Sequence, residues 1–273
     1  MKTIRNIKPL SILVLPDSQV KPDEDYAFLH NQGMYIVDKK PDVVVDIGDF
    51  ADMQSLSSYD KGKKSAEGKR YKNDIEAAVT AMKIRLEPLR KYNLEQLKQK
   101  RPIYKPKMFL TLGNHENRIN RAAEIDPMLF GTLSTDDLGY RGMGWEVLSF
   151  LEVLKINSVL FSHYFVTGTM GRPCTTARAM LTKKHMSCVA GHQQGLQIAN
   201  DVKGDGTAIT CIIAGSGYEH EEDYLGPQGN SHWRGILMLH NVFRGEFDPV
   251  VIPNSYLSEK YNPSGKKYIT CPD

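Results

Sequence analysis

The sequence is short of several things that would fix its class. No stretch of the 273 residues approaches the roughly 18 apolar residues that a membrane-spanning helix needs, so no membrane association is expected. Cys174, Cys188, Cys211 and Cys271 show no C-x-x-C spacing and read as reduced thiols in a cytoplasmic protein. There is little excess of either charge: a net charge of +3 neither demands nor excludes a nucleic-acid partner. A basic Met1 to Lys8 followed by apolar Leu10 to Leu15 faintly suggests a signal peptide. The run is too short, however, it stops at Pro16-Asp17, and no small-x-small cleavage site follows. Internal repeats, low-complexity runs and a convincing domain boundary are also lacking. What is present, 41% apolar and 25% charged residues, suits one globular domain over 1–273 with a sizeable core. The sequence leaves the oligomeric state open.

Buried strands are the clearest local signal. Ser11 to Leu15, Asp42 to Ile47 and Met108 to Leu112 are short continuous apolar runs, as expected of strands covered on both faces. Between the first two, Asp23 to Lys39 has helical spacing of Tyr26, Leu29, Tyr35 and Ile36. Strand, helix, strand makes the two strands parallel neighbours with their carboxyl ends side by side. Residues 53–107 form an excursion: a basic loop at 61–72, then a helix capped by Asn73 and running to about Lys100, which Pro88 should kink or split. A helix follows at Asn117 to Ala123, and 126–144 look irregular. Further strands are expected at 147–156, 158–161, 187–190, 208–214, 236–240 and about 247–252, with a short helix at 175–184. Beyond Asn254 no pattern is usable.

The strand ends share a property that packing does not explain. They carry Asp17 and Gln19, Gly48-Asp49 and Asp52, Gly113-Asn114-His115-Glu116, His163, and Gly191-His192 with Gln194. In this order and strand context the set resembles the calcineurin-like metallophosphoesterases, including phage-borne and DNA-repair-exonuclease-like members, over residues 17–194. The resemblance implies an α/β fold, a two-sheet sandwich flanked by helices, and two divalent metal ions. Asp49 would bridge the ions. Asn114, His163 and His192 would complete one, and Asp17, Gln19 and Gln194 the other. A hydroxide held between the ions would attack a phosphate ester in line. His115 would protonate the leaving oxygen, and Asp52 would hold its ring.

Gln19 and Gln194 stand where the family usually has histidine, both on the same ion. That ion would see oxygen donors, which favours Mn²⁺, with Mg²⁺, Zn²⁺ or Fe as the alternatives. Glu116 reads as a support for the site or as an acid at the start of the next helix. Asp46, in mid-strand, reads as a hydrogen-bonded structural carboxylate. Arg118, Arg121, Arg172 and Arg178 are candidates to hold a substrate phosphate, against the plainer reading of solvated surface. The loop at 61–72 is either a solvated charge run or a track for a nucleic-acid backbone. Tyr218, His220, Tyr224, His232 and Trp233 read as ring packing first and base stacking second. The favoured substrate is a phosphodiester of DNA, RNA or a nucleotide. The rivals are a phosphomonoesterase and a non-catalytic scaffold with a degenerate metal site.

Overall fold

The computed structural model describes residues 1–168, 170–222 and 226–270. In chain order the elements are β1 (Lys2–Ile4), β2 (Leu10–Leu15), α1 (Ala27–Lys39), β3 (Val43–Asp46), α2 (Tyr71–Lys98), β4 (Lys107–Thr111), α3 (Asn117–Ile125), β5 (Glu146–Leu148), β6 (Leu154–Ile156) and β7 (Val159–Ser162). After them come α4 (Ala177–Lys184), β8 (Cys188–Ala190), β9 (Leu196–Val202), β10 (Ala208–Ala214), α5 (Gly226–Asn230), β11 (Gly235–Phe243), β12 (Glu246–Pro253) and α6 (Asn254–Tyr261). Tyr224 and Cys271 lie outside the described residues.

Two six-stranded sheets stack face to face, with strand orders β12-β11-β2-β3-β4-β5 and β1-β6-β7-β8-β10-β9. The continuous apolar runs are explained by what lies on each side of them. Ile12, Val14, Val43 and Val45 point into the seam between the sheets, against Ile156, Phe161, Val189 and Ile212. Their neighbours Leu13, Leu15 and Val44 point outward, onto Leu29, Ile36, Ala78 and Met82 of α1 and α2. The outer face of the second sheet buries Cys188, Cys211 and Ile213 under Met180 and Leu181 of α4. The result is the α/β two-sheet sandwich flanked by helices that the resemblance implied.

Three expectations are corrected. The 147–156 region is two strands, one in each sheet, because the chain crosses between the sheets at 149–153. Pro88 does not split its helix, and α2 is one element of 28 residues. The helix survives there because α2 is pinned along α1: Pro88 and the Arg85 carbonyl press on Gly33, where a Cβ would lie 2.1 Å from that carbonyl. Nor is Asn73 the cap. Arg70 occupies that position, without a side-chain hydrogen bond, and Asn73 lies inside the first turn.

Candidate metal centre

β2, β3 and β4 are parallel neighbours, so their carboxyl ends lie together. β7, β8 and β10 do the same in the second sheet. The two sets meet end to end: Asp17 and Ser216 form an isolated parallel bridge, and the Gly217 amide donates to the Asp17 carbonyl at 2.7 Å. Loops leaving six strand ends therefore converge on one point. Two glycines make that convergence possible. A Cβ at Gly113 would lie 2.0 Å from an Asp49 carboxylate oxygen, and one at Gly191 would lie 2.4 Å from Asp17 Oδ1. Gln19, Asp49, Met53, His192 and Gln194 all have positive φ, between 40° and 69°. So many left-handed non-glycine residues around one point are backbone strain gathered at a site, which is where function tends to hold it.

Ligand atoms of Asp49, His163 and His192 lie within 4.8 Å of one another. Asn114 Oδ1 sits 2.9 Å from His163 Nε2 and 2.7 Å from His192 Nδ1, and His163 Nε2 is 3.2 Å from Asp49 Oδ2. His163 Nδ1 donates to the Ile47 carbonyl at 3.0 Å, which turns Nε2 toward the cluster. A carboxylate, an amide oxygen and two imidazole nitrogens thus face one space, with three of the separations between 2.7 and 3.2 Å. That is the edge of a polyhedron with metal–ligand bonds of about 2.1 Å. The donor set fits a divalent transition-metal ion.

Electrostatics agree with that fit. Burial would lower the His163 pKa, but Asp49 and Asp17 carry it up to about 9, so the carboxylates around this point favour positive charge. Burial and the neighbouring His163 push His192 down to about 4. Asp49 is held well below the usual carboxylate range despite its burial, by His115 and His163. Asp17 is raised, chiefly by burial.

The side formed by Asp17, Gln19 and Gln194 is built differently. The Asp17 carboxylate accepts the His192 amide at 3.0 Å. Gln19 is buried. Gln194 Oε1 accepts a hydrogen bond of 2.8 Å from the Tyr218 hydroxyl. Tyr218, fully buried, stacks on His220 with ring centroids 4.5 Å apart and packs edge-on against His232.

His115 and Asp52 stand beside the cluster. His115 Nε2 is 3.7 Å from Asp49 Oδ2, and Nδ1 is 2.6 Å from Asp52 Oδ1 with its N–H turned off the direct line. Burial alone would raise the Asp52 pKa, but His115 and the Arg118 cation hold it at about 2. Arg118 lies deeper than either expectation placed it. It donates to the Asp52 carbonyl at 2.7 Å and to the Asp52 carboxylate at 3.2 Å, and its other nitrogen lies 3.3 Å from His115 Nε2. Lys21 sits 3.9 Å from Asp52 Oδ2 and 2.5 Å from Glu222, which also meets His220 at 2.8 Å. The other arginines are not gathered in. Arg121 and Arg172 are exposed, and Arg178 pairs with Asp201 at 3.3 Å on the surface.

Glu116 does more than sequence suggests. Its carboxylate is fully buried and accepts backbone N–H groups of Asp49 (3.1 Å), Ala51 (2.9 Å) and Gly113 (2.9 Å). It ties the β3 and β4 loops into one frame. Asp46 is structural as expected, but its partner is a surprise: Arg85 of α2, fully buried, pairs with Asp46 and donates to Ser18 Oγ at 2.7 Å. The signal was available, because Arg85 falls in the helical series Ala78, Ala81, Met82, Leu89 that forms the buried face.

No family model matches the chain. In sequence it is similar to the Gene 54 protein of Mycobacterium phage L5, 32% identical over 142 residues; the match covers 50% of this chain and 50% of that protein. In structure it is similar to a dimetal phosphatase from Danio rerio, at 10% identity and TM-score 0.39, over 90% of this chain and 97% of that one. It is also similar to TT1561 of Thermus thermophilus, at 8% identity and TM-score 0.32, over 89% and 99% of the two chains. Likenesses this distant assign no activity, and the site stands on its own geometry. Among the described residues no helix is long and apolar enough to cross a membrane.

Proposed function

We propose that the protein is a metal-dependent phosphoesterase of the calcineurin-like kind, acting on phosphodiesters of nucleic acid or nucleotides. The observation that carries this reading is the adjacency of two devices on one loop. Asn114 belongs to a donor cluster that fits a cation, and the next residue, His115, belongs to an imidazole–carboxylate pair. A divalent ion at this cluster supplies Lewis acidity toward a phosphoryl oxygen and a water acidified enough to attack.

The chain's own residues do the rest. Asp49, Asn114, His163 and His192 would hold one ion, and Asp17, Gln19 and Gln194, with Asp49, would hold a second more loosely. The oxygen-only character of that second set favours Mn²⁺ or Mg²⁺. His115 presents Nε2 toward the Asp49 side, where the phosphate sits, and gives its proton to the leaving oxygen. Asp52, 2.6 Å from Nδ1 and ionised, favours the His115 form that carries a proton on that nitrogen. Arg118 and Lys21 flank Asp52 and hold it in place. An oriented acid of this type argues for an enzyme over a scaffold, since a scaffold has no use for it.

Protein stripped with a chelator and given back Mn²⁺ should hydrolyse bis-p-nitrophenyl phosphate faster than p-nitrophenyl phosphate. The reverse preference makes it a monoesterase. No turnover of either ester with Mn²⁺, Mg²⁺ or Zn²⁺ overturns the reading.

A further inference from the structure

Two surface segments start together and end together. The first, 53–71, leaves the site at Asp52, whose carbonyl is held by Arg118, and ends at Tyr71. The Tyr71 hydroxyl donates to the Asp137 carboxylate at 2.7 Å and reaches the Ser134 carbonyl at 3.3 Å. The second segment, 118–134, leaves the site at that Arg118 and ends at that Ser134. Between these ties α3 touches both the turn at Gln54–Leu56 and the turn at Thr135–Leu138. Both segments thus lead away from His115 along one face.

The first segment and its junction with α2 hold the chain's excess charge. Residues 60–72 contain six basic and two acidic side chains, +4 in all, while the whole chain is +3, so the remainder sums to −1. Lys69 is paired with Asp60 at 3.3 Å and Lys72 with Glu76 at 3.6 Å. Lys61, Lys63, Lys64 and Arg70 are exposed. On the second segment Asp126 is used locally, capping the Met128 amide at 3.1 Å, whereas Glu124 is exposed. The same two segments carry side chains that no core claims: Tyr59 is 79% exposed, Phe130 85% and Met128 88%. A protein-docking patch is depleted in lysine. Lysines for a phosphate backbone beside open rings for unpaired bases are the elements of a single-strand surface.

We infer that this two-segment face docks single-stranded nucleic acid and delivers it to the site at His115. Its purpose rests on the phosphoesterase reading, but the docking itself does not. The test is fluorescence anisotropy of a labelled oligothymidylate with the full-length protein in EDTA, over a salt series. Wild type should bind, more weakly as salt rises. Changing Lys61, Lys63 and Lys64 together to alanine should lower the slope of log K against log salt by about 2, at about 0.7 per phosphate contact on a single strand. Phe130→Ala should weaken binding roughly tenfold and leave the slope unchanged. Both variants should hydrolyse bis-p-nitrophenyl phosphate at the wild-type rate. Absence of binding at low salt, or variants that bind as wild type does, overturns the inference. So does a variant whose main effect is on sedimentation, which gives the face to a second copy of the chain. If wild type binds as described yet hydrolyses no phosphate ester, the phosphoesterase reading fails and the docking face stands.

Discussion

The two sides of the site are made of different chemistry. On one, Asp49, Asn114, His163 and His192 turn ligand atoms into a single space, with His163 locked by the Ile47 carbonyl. On the other, Asp17 is occupied by a backbone amide, and Gln194 is tied to Tyr218. In the two-ion reading proposed above, the first set is already gathered around one space, while Gln194 of the second is engaged with Tyr218 outside it. The contacts an ion would displace on the first side run mainly between the ligands themselves, whereas Gln194 would have to leave Tyr218, so the two ions should differ in affinity.

The sharpest way to break this comparison is at Asp49, which the proposed reading assigns to both sides. Asp49→Ala should abolish turnover and leave metal content at background by elemental analysis; a protein that kept one tight ion would show that Asp49 is not the hub. Next in size is the acid. His115→Gln should lower kcat by about 10²- to 10⁴-fold with metal content unchanged. The loss should be smaller for p-nitrophenyl esters than for alkyl diesters, because a good leaving group needs less protonation. Full turnover on an alkyl diester would remove His115 from that role.

Glu116→Gln tests the frame that both sides stand on. An amide there offers fewer acceptor lone pairs to the three backbone N–H groups, and its own N–H₂ opposes them. Metal affinity should fall by about 10- to 100-fold and the Tm should drop, measured by titration and calorimetry. An unchanged Tm would mean that the clamp is not structural. The smallest effect is expected at Gln194→Ala, which should weaken only the second ion and reduce turnover less than Asn114→Ala does. Equal losses from the two would erase the asymmetry.

Much of this was legible in the sequence because buried parallel strands leave an unambiguous signal. Ile12 to Leu15, Val43 to Val45 and Phe109 to Leu110 are apolar without alternation, and each run stops within four residues of a side chain that faces the site. The parts that escaped lack such a signal. β9 is a half-exposed edge strand carrying Asn200 and Asp201, so it has no apolar run to betray it. α6 buries little beyond Asn254 and Leu257 and reads as polar tail. Arg85 looks like one more charged residue of a long surface helix, and only its place on the buried face marks it as the partner of Asp46. Glu116 and Arg118 were visible as residues but not as connections, since apart from Gly113 and His115 their partners lie 65 to 67 positions away for Glu116 and 65 to 66 for Arg118.

The central claim, a tight ion beside a loose one, is tested most directly by calorimetric titration of chelator-stripped protein with Mn²⁺, in wild type and in Gln194→Ala. The account predicts two binding steps of clearly different affinity in wild type, with the tighter step unchanged in Gln194→Ala. Two equal tight steps, or loss of the tighter step in Gln194→Ala, would contradict it.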